Sequence, residues 1–523
     1  MRRKLACGGI AVAALTLALT APALAQEVAP PTVESVDAQV TVLGQDLNLL
    51  WVVIGAALVI FMQAGFAMVE TGFCRAKHAA HVVSTNFAIF ALGFVSFFAV
   101  GFGIMFGGYS YALPGFDYGF TESVGGAGAL VGSGDWVFLW NPSKLAFLNQ
   151  LWSVDNLPST AFYAAVMGFF LYMVAFMDTT ATIPTGSMAE RWKWRSFIWW
   201  GLFCGAIYYP LFGGWTWGGG WLSKLGSSLD LGAGYVDFAG SGIVHAMGGM
   251  AALSGAIVLG ARIGKFDKAG KPRALFGHNI PMAMLGTFIL LFGWFGFNAA
   301  STFAATDAQF AVVAANTAIA AAFGATAAIF WITRRTGKPD PAMMANGMLG
   351  GLVAITAPCA FVAPWAAAVI GLIAGVLVIE SVLFVERRCK LDDPVGAISV
   401  HGVCGLFGVL AVGLFANGEY GAGWNGSSVE GVGGLLTGDV GQLLAQLIGV
   451  ATIIVVGGGL SYAFFKLQDR FTDGGIRSSA EDEIAGLDLP EMGVPAYSDL
   501  EGSEGASPET TRPAEGLVTP TKL

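Results

Sequence analysis

Two histidines stand at matching positions in this chain. Asp237-Phe-Ala-Gly240-Ser-Gly-Ile-Val244-His245 and Asp393-Pro-Val-Gly396-Ala-Ile-Ser-Val400-His401 both read D-x-x-G-x-x-x-V-H, and His245 and His401 are two of only five histidines. An imidazole passes a proton near neutral pH, holds a metal through a ring nitrogen, or simply hydrogen-bonds a neighbour. Each motif opens on an aspartate, which caps the free N–H groups of a helix start and suits its positive dipole end. Capping accounts for Asp393 and its neighbour Asp392. Asp237 is also placed to support a cation at the outer mouth of a membrane path.

The segments that must position these residues are apolar. Of 523 residues, 12% are charged and 55% hydrophobic, and the 74 glycines are about twice the ordinary share. Mean hydropathy is +0.67. These values exclude soluble enzymes, disordered chains and nucleic-acid binders, and they fit a polytopic membrane protein whose small residues let helices approach closely. Eleven stretches are long enough to span a bilayer, at about 49–70, 84–106, 158–186, 194–212, 237–261, 277–300, 310–333, 342–358, 362–384, 396–416 and 440–467. The connections after the odd-numbered spans one to nine carry sixteen Lys and Arg. The residues from 26 to the first span and the even-numbered connections carry only Lys144 and Lys224. Basic loops stay cytoplasmic, so the N-terminus is expected outside and the C-terminus inside.

Spans five and ten then run in opposite directions, and the chain divides into two inverted five-helix halves plus an eleventh helix. Such repeats place a transport site where the halves meet, near the midplane. Eight residues of helix rise about 12 Å, so from opposite faces His245 and His401 both reach the centre of a hydrocarbon core about 30 Å thick. Ionisable groups at that depth mark conduction paths or proton relays. A plain interhelical hydrogen bond and a bis-histidine haem are the competing readings. Further histidines, as multihaem bundles carry, are missing from the neighbouring segments.

The ends read differently. Arg2-Arg-Lys4, an apolar run to Thr20 and Ala23-Leu-Ala25 form a secretory leader over residues 1–25, with Gln26 starting the mature chain outside a bacterial inner membrane. Residues 26–48 are expected to form an outer segment, 49–467 the membrane domain, and 468–523 an acidic cytoplasmic tail, disordered after about 500. The mature cysteines (74, 204, 359, 389 and 404) contain no CxxC pair and suggest neither disulfides nor a metal site. Glu70 and Glu380 are expected to pair with basic neighbours, and Asp178 with the hydroxyls of Thr179, Thr180 and Thr182, the alternative for Asp178 being an addition to the pore mouth.

Two aromatic segments lie on the outer side, Gly214-Trp-Thr-Trp217-Gly-Gly-Gly220 and Phe292-Gly-Trp294-Phe-Gly-Phe297-Asn298-Ala-Ala-Ser301. Together with the two histidine motifs, Asp392-Asp-Pro, His401-Gly-Val-Cys-Gly405 and the tail from Gly475 to Tyr497, they make the sequence resemble the ammonium transporter (Amt/Mep/Rh) superfamily, specifically its Amt branch. The resemblance covers nearly the whole mature chain. It implies a fold of eleven helices, usually a homotrimer with one pore per subunit, that moves ammonium or ammonia with methylammonium as analogue, without a cofactor and not as an enzyme. By position it implies Trp217 and Ser301 as the outer recognition site with Asp237 near it. Phe176 and Phe297 would be the stacked gate, His245 and His401 the twin histidines, and Trp294 a pore-lining aromatic. It also implies a tail that stabilises the trimer and contacts a PII-type signalling protein. Met173 stands where relatives carry glutamine, and Met492 where they often carry histidine. The function expected is recruitment of ammonium, its deprotonation, and conduction of ammonia with the proton along the histidines. An electroneutral gas channel of Rhesus type and an ammonium sensor signalling through its tail are the alternatives.

Overall fold

The computed structural model describes residues 32–108, 128–148, 160–427 and 429–497. The expected leader (1–25), most of the outer loop at 107–157 and the tail after 500 lie outside them. Two compact units are present, residues 1–44 and 45–523. The described part of the first is the opening of the first helix, and the site described below lies in the second.

Among the described residues, ten helices are long and apolar enough to cross a membrane: α1 Val33–Phe73, α2 Ala76–Phe106, α3 Tyr163–Met188, α4 Trp194–Trp215, α5 Ser241–Leu259, α6 Ile280–Thr302, α7 Gln309–Thr336, α9 Pro364–Arg387, α10 Ile398–Phe415 and α11 Val440–Phe471. The eleventh, α8 Pro341–Thr356, has 16 residues, about 24 Å of helix. It is apolar and packed inside the bundle, so it need not match the full core thickness. The chain is therefore an eleven-helix, multi-pass membrane protein. α1 begins well before the apolar stretch at 49, because helical hydrogen bonding continues through Gln45, Asp46 and Asn48 where hydropathy has already dropped.

The helical reading needs one addition. A two-stranded antiparallel hairpin, Ala129–Ser133 with Trp136–Trp140, lies over the loop after α4. Trp215 Nε1 donates to the Phe138 carbonyl at 2.7 Å and Trp140 Nε1 to that of Gly214 at 3.2 Å, so indoles that could pass for a membrane belt hold a loop in place.

The halves α1–α5 and α6–α10 repeat each other most visibly at their last helices. Asp237 accepts N–H bonds from Gly240, Gly242 and Ile243 at 2.8–2.9 Å. Asp393 accepts them from Gly396, Ala397 and Ile398 at 2.7–3.1 Å. In both motifs the glycine turns left-handed, with φ +111° at Gly240 and +82° at Gly396, which costs a residue without a Cβ least. Both helices then open with a wide π-turn that carries the histidine, Ser241–Ala246 and Ile398–Val403. Such bulges re-aim side chains and occur often at functional sites. α5 and α10 meet where a Cβ on Gly249 would strike the backbone of Gly402, and that close crossing brings the two imidazoles together.

Candidate functional site

A vestibule of about 560 Å³ opens on the face opposite the basic loops, and Trp217, Phe176, Tyr172, Phe238, Ser301 and Trp424 contribute to its lining. Its floor is shut by Phe176 of α3 and Phe297 of α6, stacked with ring centres 4.1 Å apart. Trp217 stands edge-on to Phe176 at 5.7 Å. Its indole is fixed by an Nε1 bond to the Asp237 carbonyl at 2.7 Å, and the residue lines the cavity. Ser301 Oγ bonds the Phe297 carbonyl at 2.7 Å and lies 3.0 Å from the Tyr172 hydroxyl.

Beneath the ring pair lie the histidines. His245 Nδ1 and His401 Nδ1 are 3.1 Å apart, a hydrogen-bond separation in which one ring must donate and the other accept. His245 stacks on Phe297 at 5.3 Å and on Trp294 at 5.1 Å, and Trp294 Nε1 is anchored on Thr356 Oγ1 at 2.9 Å. Phe66 of α1 closes the other side, 6.0 Å from His401. Two ring nitrogens in direct hydrogen-bond contact leave no room for a metal between them, which weighs against the haem reading. Among the described residues no group of three or more His, Cys, Asp or Glu could hold a metal ion.

The structure thus brings seven of the eight residues singled out from sequence into one column: Trp217, Ser301, Phe176, Phe297, His245, His401 and Trp294. Asp237 stands apart. It is buried, its carboxylate is taken up by three backbone N–H groups and the Tyr235 hydroxyl at 3.3 Å, and it is not among the vestibule's lining residues. It supports the site by fixing the start of α5 and, through its carbonyl, Trp217. Tyr172 was missed. It precedes Phe176 by one turn, and that i, i+4 spacing was the available signal. Trp424, Tyr420 and Glu419 also line the vestibule, from a loop that carries no sequence signal for doing so.

Two expectations about carboxylates fail. Among the described residues Glu70 meets no basic side chain; it is hydrogen-bonded by Asn86 and Thr185. The hydroxyls of Thr179, Thr180 and Thr182 serve the carbonyls of Ala175 and Phe176 and the Asn86 side chain, and Asp178 Oδ1 is left without a partner. Helical threonines next to a carboxylate are better placed for the carbonyl one turn back. Glu380 does pair as expected, with Arg335 at 3.1 Å.

On the basic-loop side a charged layer closes the bundle. Arg262 hydrogen-bonds Asp392 through Nε and Nη2 at 2.8 and 3.0 Å and forms an ion pair with Glu190 at 3.1 Å, and Arg75 Nε donates to Glu190 at 2.6 Å. Burial raises the Glu190 carboxyl, but Arg262, His78 and Arg75 outweigh it and hold the group below the usual carboxylate range. Asp392 is likewise held low, with Arg191 and Arg262 overcoming burial. The tail folds onto this layer. Arg477 bonds Glu483 and the Leu259 and Ala261 carbonyls at 2.7–2.8 Å, and the Leu487 N–H donates to His78 Nδ1 at 3.2 Å.

Comparison with known proteins gives a consistent result. The model of the Ammonium Transporter Family matches residues 50–497. Ammonium transporter Amt2 of Archaeoglobus fulgidus is 42% identical over 464 residues, covering 88% of this chain and 90% of its own. Ammonium transporter Amt1 of Haloferax mediterranei is 34% identical over 479 residues, covering 89% and 82%. Among solved structures, one described as a Sensor Amt Protein superposes with a TM-score of 0.72 at 34% identity, over 86% of this chain and 99% of that one.

Proposed function

The chain belongs to the ammonium transporter family, and from that premise we propose that it draws ammonium into the vestibule, strips one proton at the gate and passes ammonia and the proton inward by separate routes. Trp217 and Ser301 receive the cation. A π face stabilises a small cation by about 0.5–2 kcal/mol, and the Ser301 oxygen accepts one of its hydrogen bonds. Carrying the intact charge onward through an apolar path costs several kcal/mol, whereas neutral ammonia slips past Phe176 and Phe297 when the rings part. Sodium and potassium have no proton to surrender, which gives selectivity without a tight ion cage. The proton moves along the hydrogen bond between His245 and His401, with Trp294 keeping His245 in plane. Asp237 acts by holding the head of α5.

The observation that carries this reading is the 3.1 Å contact between two imidazole nitrogens directly below a stacked ring gate. The setting is the inner membrane of a bacterium. Residues 1–25 act as a cleaved leader and 49–467 form the membrane domain, with the N-terminus periplasmic and the C-terminus cytoplasmic. The unit is a homotrimer whose tail offers a surface to a PII-type protein. Bonding of the described tail to its own chain gives the sensing alternative no support.

An ammonium jump on proteoliposomes, with sodium and potassium jumps as controls, tests the proposal. A current for ammonium alone is the expected result. Luminal alkalinisation without current would instead identify an electroneutral channel of Rhesus type.

A further inference from the structure

The outer opening of α1 carries apolar side chains that the ammonium path does not use. Val33, Val36, Val40, Leu43, Leu47 and Leu50 are between 44% and 87% exposed. They follow one another at alternating steps of three and four residues, the a and d positions of a heptad. All seven polar residues between 33 and 47 fall off that line. The same steps continue down the helix through Ile54, Ala57, Phe61 and Ala64, each of them exposed. A straight helix drifts about 20° per heptad from a strict seven-residue repeat. A stripe that keeps the repeat from 33 to 64 is therefore matched to a left-handed supercoil.

The other side of α1 already has its partners. Asn48 and Val52 are buried, and Thr306 donates its N–H and its hydroxyl to Asn48 Oδ1, both at 3.0 Å. The seam itself precedes the apolar span that starts near 49, so over Val33–Leu47 it meets water rather than lipid.

Charge and orientation select what covers it. A bilayer surface is a poor cover, because residues 33–48 hold three acidic side chains and no Lys or Arg, whereas helices that lie on membranes carry cations on their polar face. A second copy suits the seam. Copies inserted in one membrane with one orientation run parallel, and tethering of each α1 to its span sets their seams at the same height. In a parallel coil the g residue of one helix faces the next e residue of its neighbour. Here those pairs are Thr32 with Asp37, Gln39 with Gly44, and Asp46 with Trp51. None joins like charges.

We propose that the opening of α1, over Val33–Leu47, forms a parallel coiled coil with the same helix of neighbouring copies, which clamps the assembly outside the membrane. The inference rests on the homotrimer of the reading above.

Disulfide cross-linking of the full chain in membranes tests it, in a Cys389→Ser background that removes the exposed thiol. Val36→Cys and Leu43→Cys stand at d positions. On mild oxidation each should give at least five-fold more covalent dimer than Ala38→Cys, which stands at f on the far side of the same helix. Three thiols around one axis form one disulfide and leave one chain free, so a dimer is the product a three-stranded coil yields. Native mass spectrometry of the wild-type protein in detergent separates the two readings. A trimer with no excess cross-linking at 36 and 43 overturns the coil and spares the trimer, and is the result expected if the bilayer or another part of the same chain covers the seam. A wild-type monomer overturns the homotrimer and the coil together.

Discussion

At the head of α5, Asp237 caps three backbone N–H groups, a left-handed glycine turns the chain, and a π-turn presents His245. At the head of α10, Asp393, Gly396 and His401 do the same from the opposite face. The surroundings of the two segments differ. Beside the first, Trp217 leans on the Asp237 carbonyl and an aromatic vestibule opens outward. Beside the second, Asp392 is locked to Arg262 and Arg191, and the tail covers the layer. One local construction therefore serves two tasks, holding an opening mouth and sealing a charged base. The half-site chemistry lies in the repeat, and the direction of the device lies in what each copy packs against.

Removing the base's central cation should have the largest effect. The Arg262 side chain is 2% exposed, and its partners on Glu190 and Asp392 are fully buried. Arg262→Ala leaves both carboxylates without their shared cation, and breaking such a pair costs about 3–5 kcal/mol. A lower midpoint of thermal unfolding in detergent would register it. Both carboxyls are depressed in the folded state, so their contribution is complete above their unfolded values of 4.5 and 3.8 and fades as pH falls through the folded ones. Acid should thus destabilise wild type more steeply than the variant. An Arg262→Ala protein as stable as wild type would remove the contrast between mouth and base.

Next come the caps. Asp237→Asn and Asp393→Asn each swap an acceptor oxygen for an amide facing backbone donors, at about 1–3 kcal/mol. Equal losses would mean that the repeat sets the cost; a much larger loss at Asp393, where the charged layer adjoins it, would assign the cost to the surroundings. Asp237→Asn should also weaken the ammonium current by loosening the seat of Trp217.

Trp217→Leu should act at the mouth alone. Loss of a π face worth about 0.5–2 kcal/mol raises half-saturating ammonium about two- to thirty-fold. His245→Ala should leave that dependence in place and remove charge movement instead. A shift of concentration dependence in both variants, or in neither, would show that recognition and proton transfer are not divided by the Phe176–Phe297 gate.

Much of this was legible in the chain, for identifiable reasons. Hydropathy and alternating loop charge report the membrane directly, so the spans and the inversion could be read. The doubled D-x-x-G-x-x-x-V-H motif encodes cap, turn and histidine locally, and the structure keeps it. What stayed hidden depends on partners far along the chain. Glu190 meets Arg262, and Arg262 meets Asp392, across more than seventy residues each time, and no spacing rule joins them. Glu70 seemed bound for a cation because Arg75 and Lys77 follow it closely, yet the turn after α1 carries Arg75 to Glu190 and leaves Glu70 facing Asn86 and Thr185. Tyr172 was within reach of helical spacing; Glu419 and Trp424 became site residues only because a loop folds back over the vestibule.

The smallest expected effect probes the end of the tail. His278 Nδ1 lies 2.8 Å from the Cys74 carbonyl, which can only accept, so Nδ1 carries the proton and Nε2 accepts from the Tyr497 hydroxyl at 2.8 Å. Tyr497→Phe deletes that one bond, at about 0.5–1.5 kcal/mol, while its ring keeps its packing. Amide exchange over residues 486–497 should quicken by about two- to ten-fold. His81, whose N–H is bound by Asp488 at 2.9 Å, should follow in smaller measure, because the same strap holds both. Exchange at Gly240, Gly242 and Ile243 should not change, since those amides are held by Asp237 and, among the described residues, no tail residue bonds to that head. Faster exchange there would mean that the tail's grip is transmitted through the bundle to the mouth, and the two ends would then have to be treated as one coupled element.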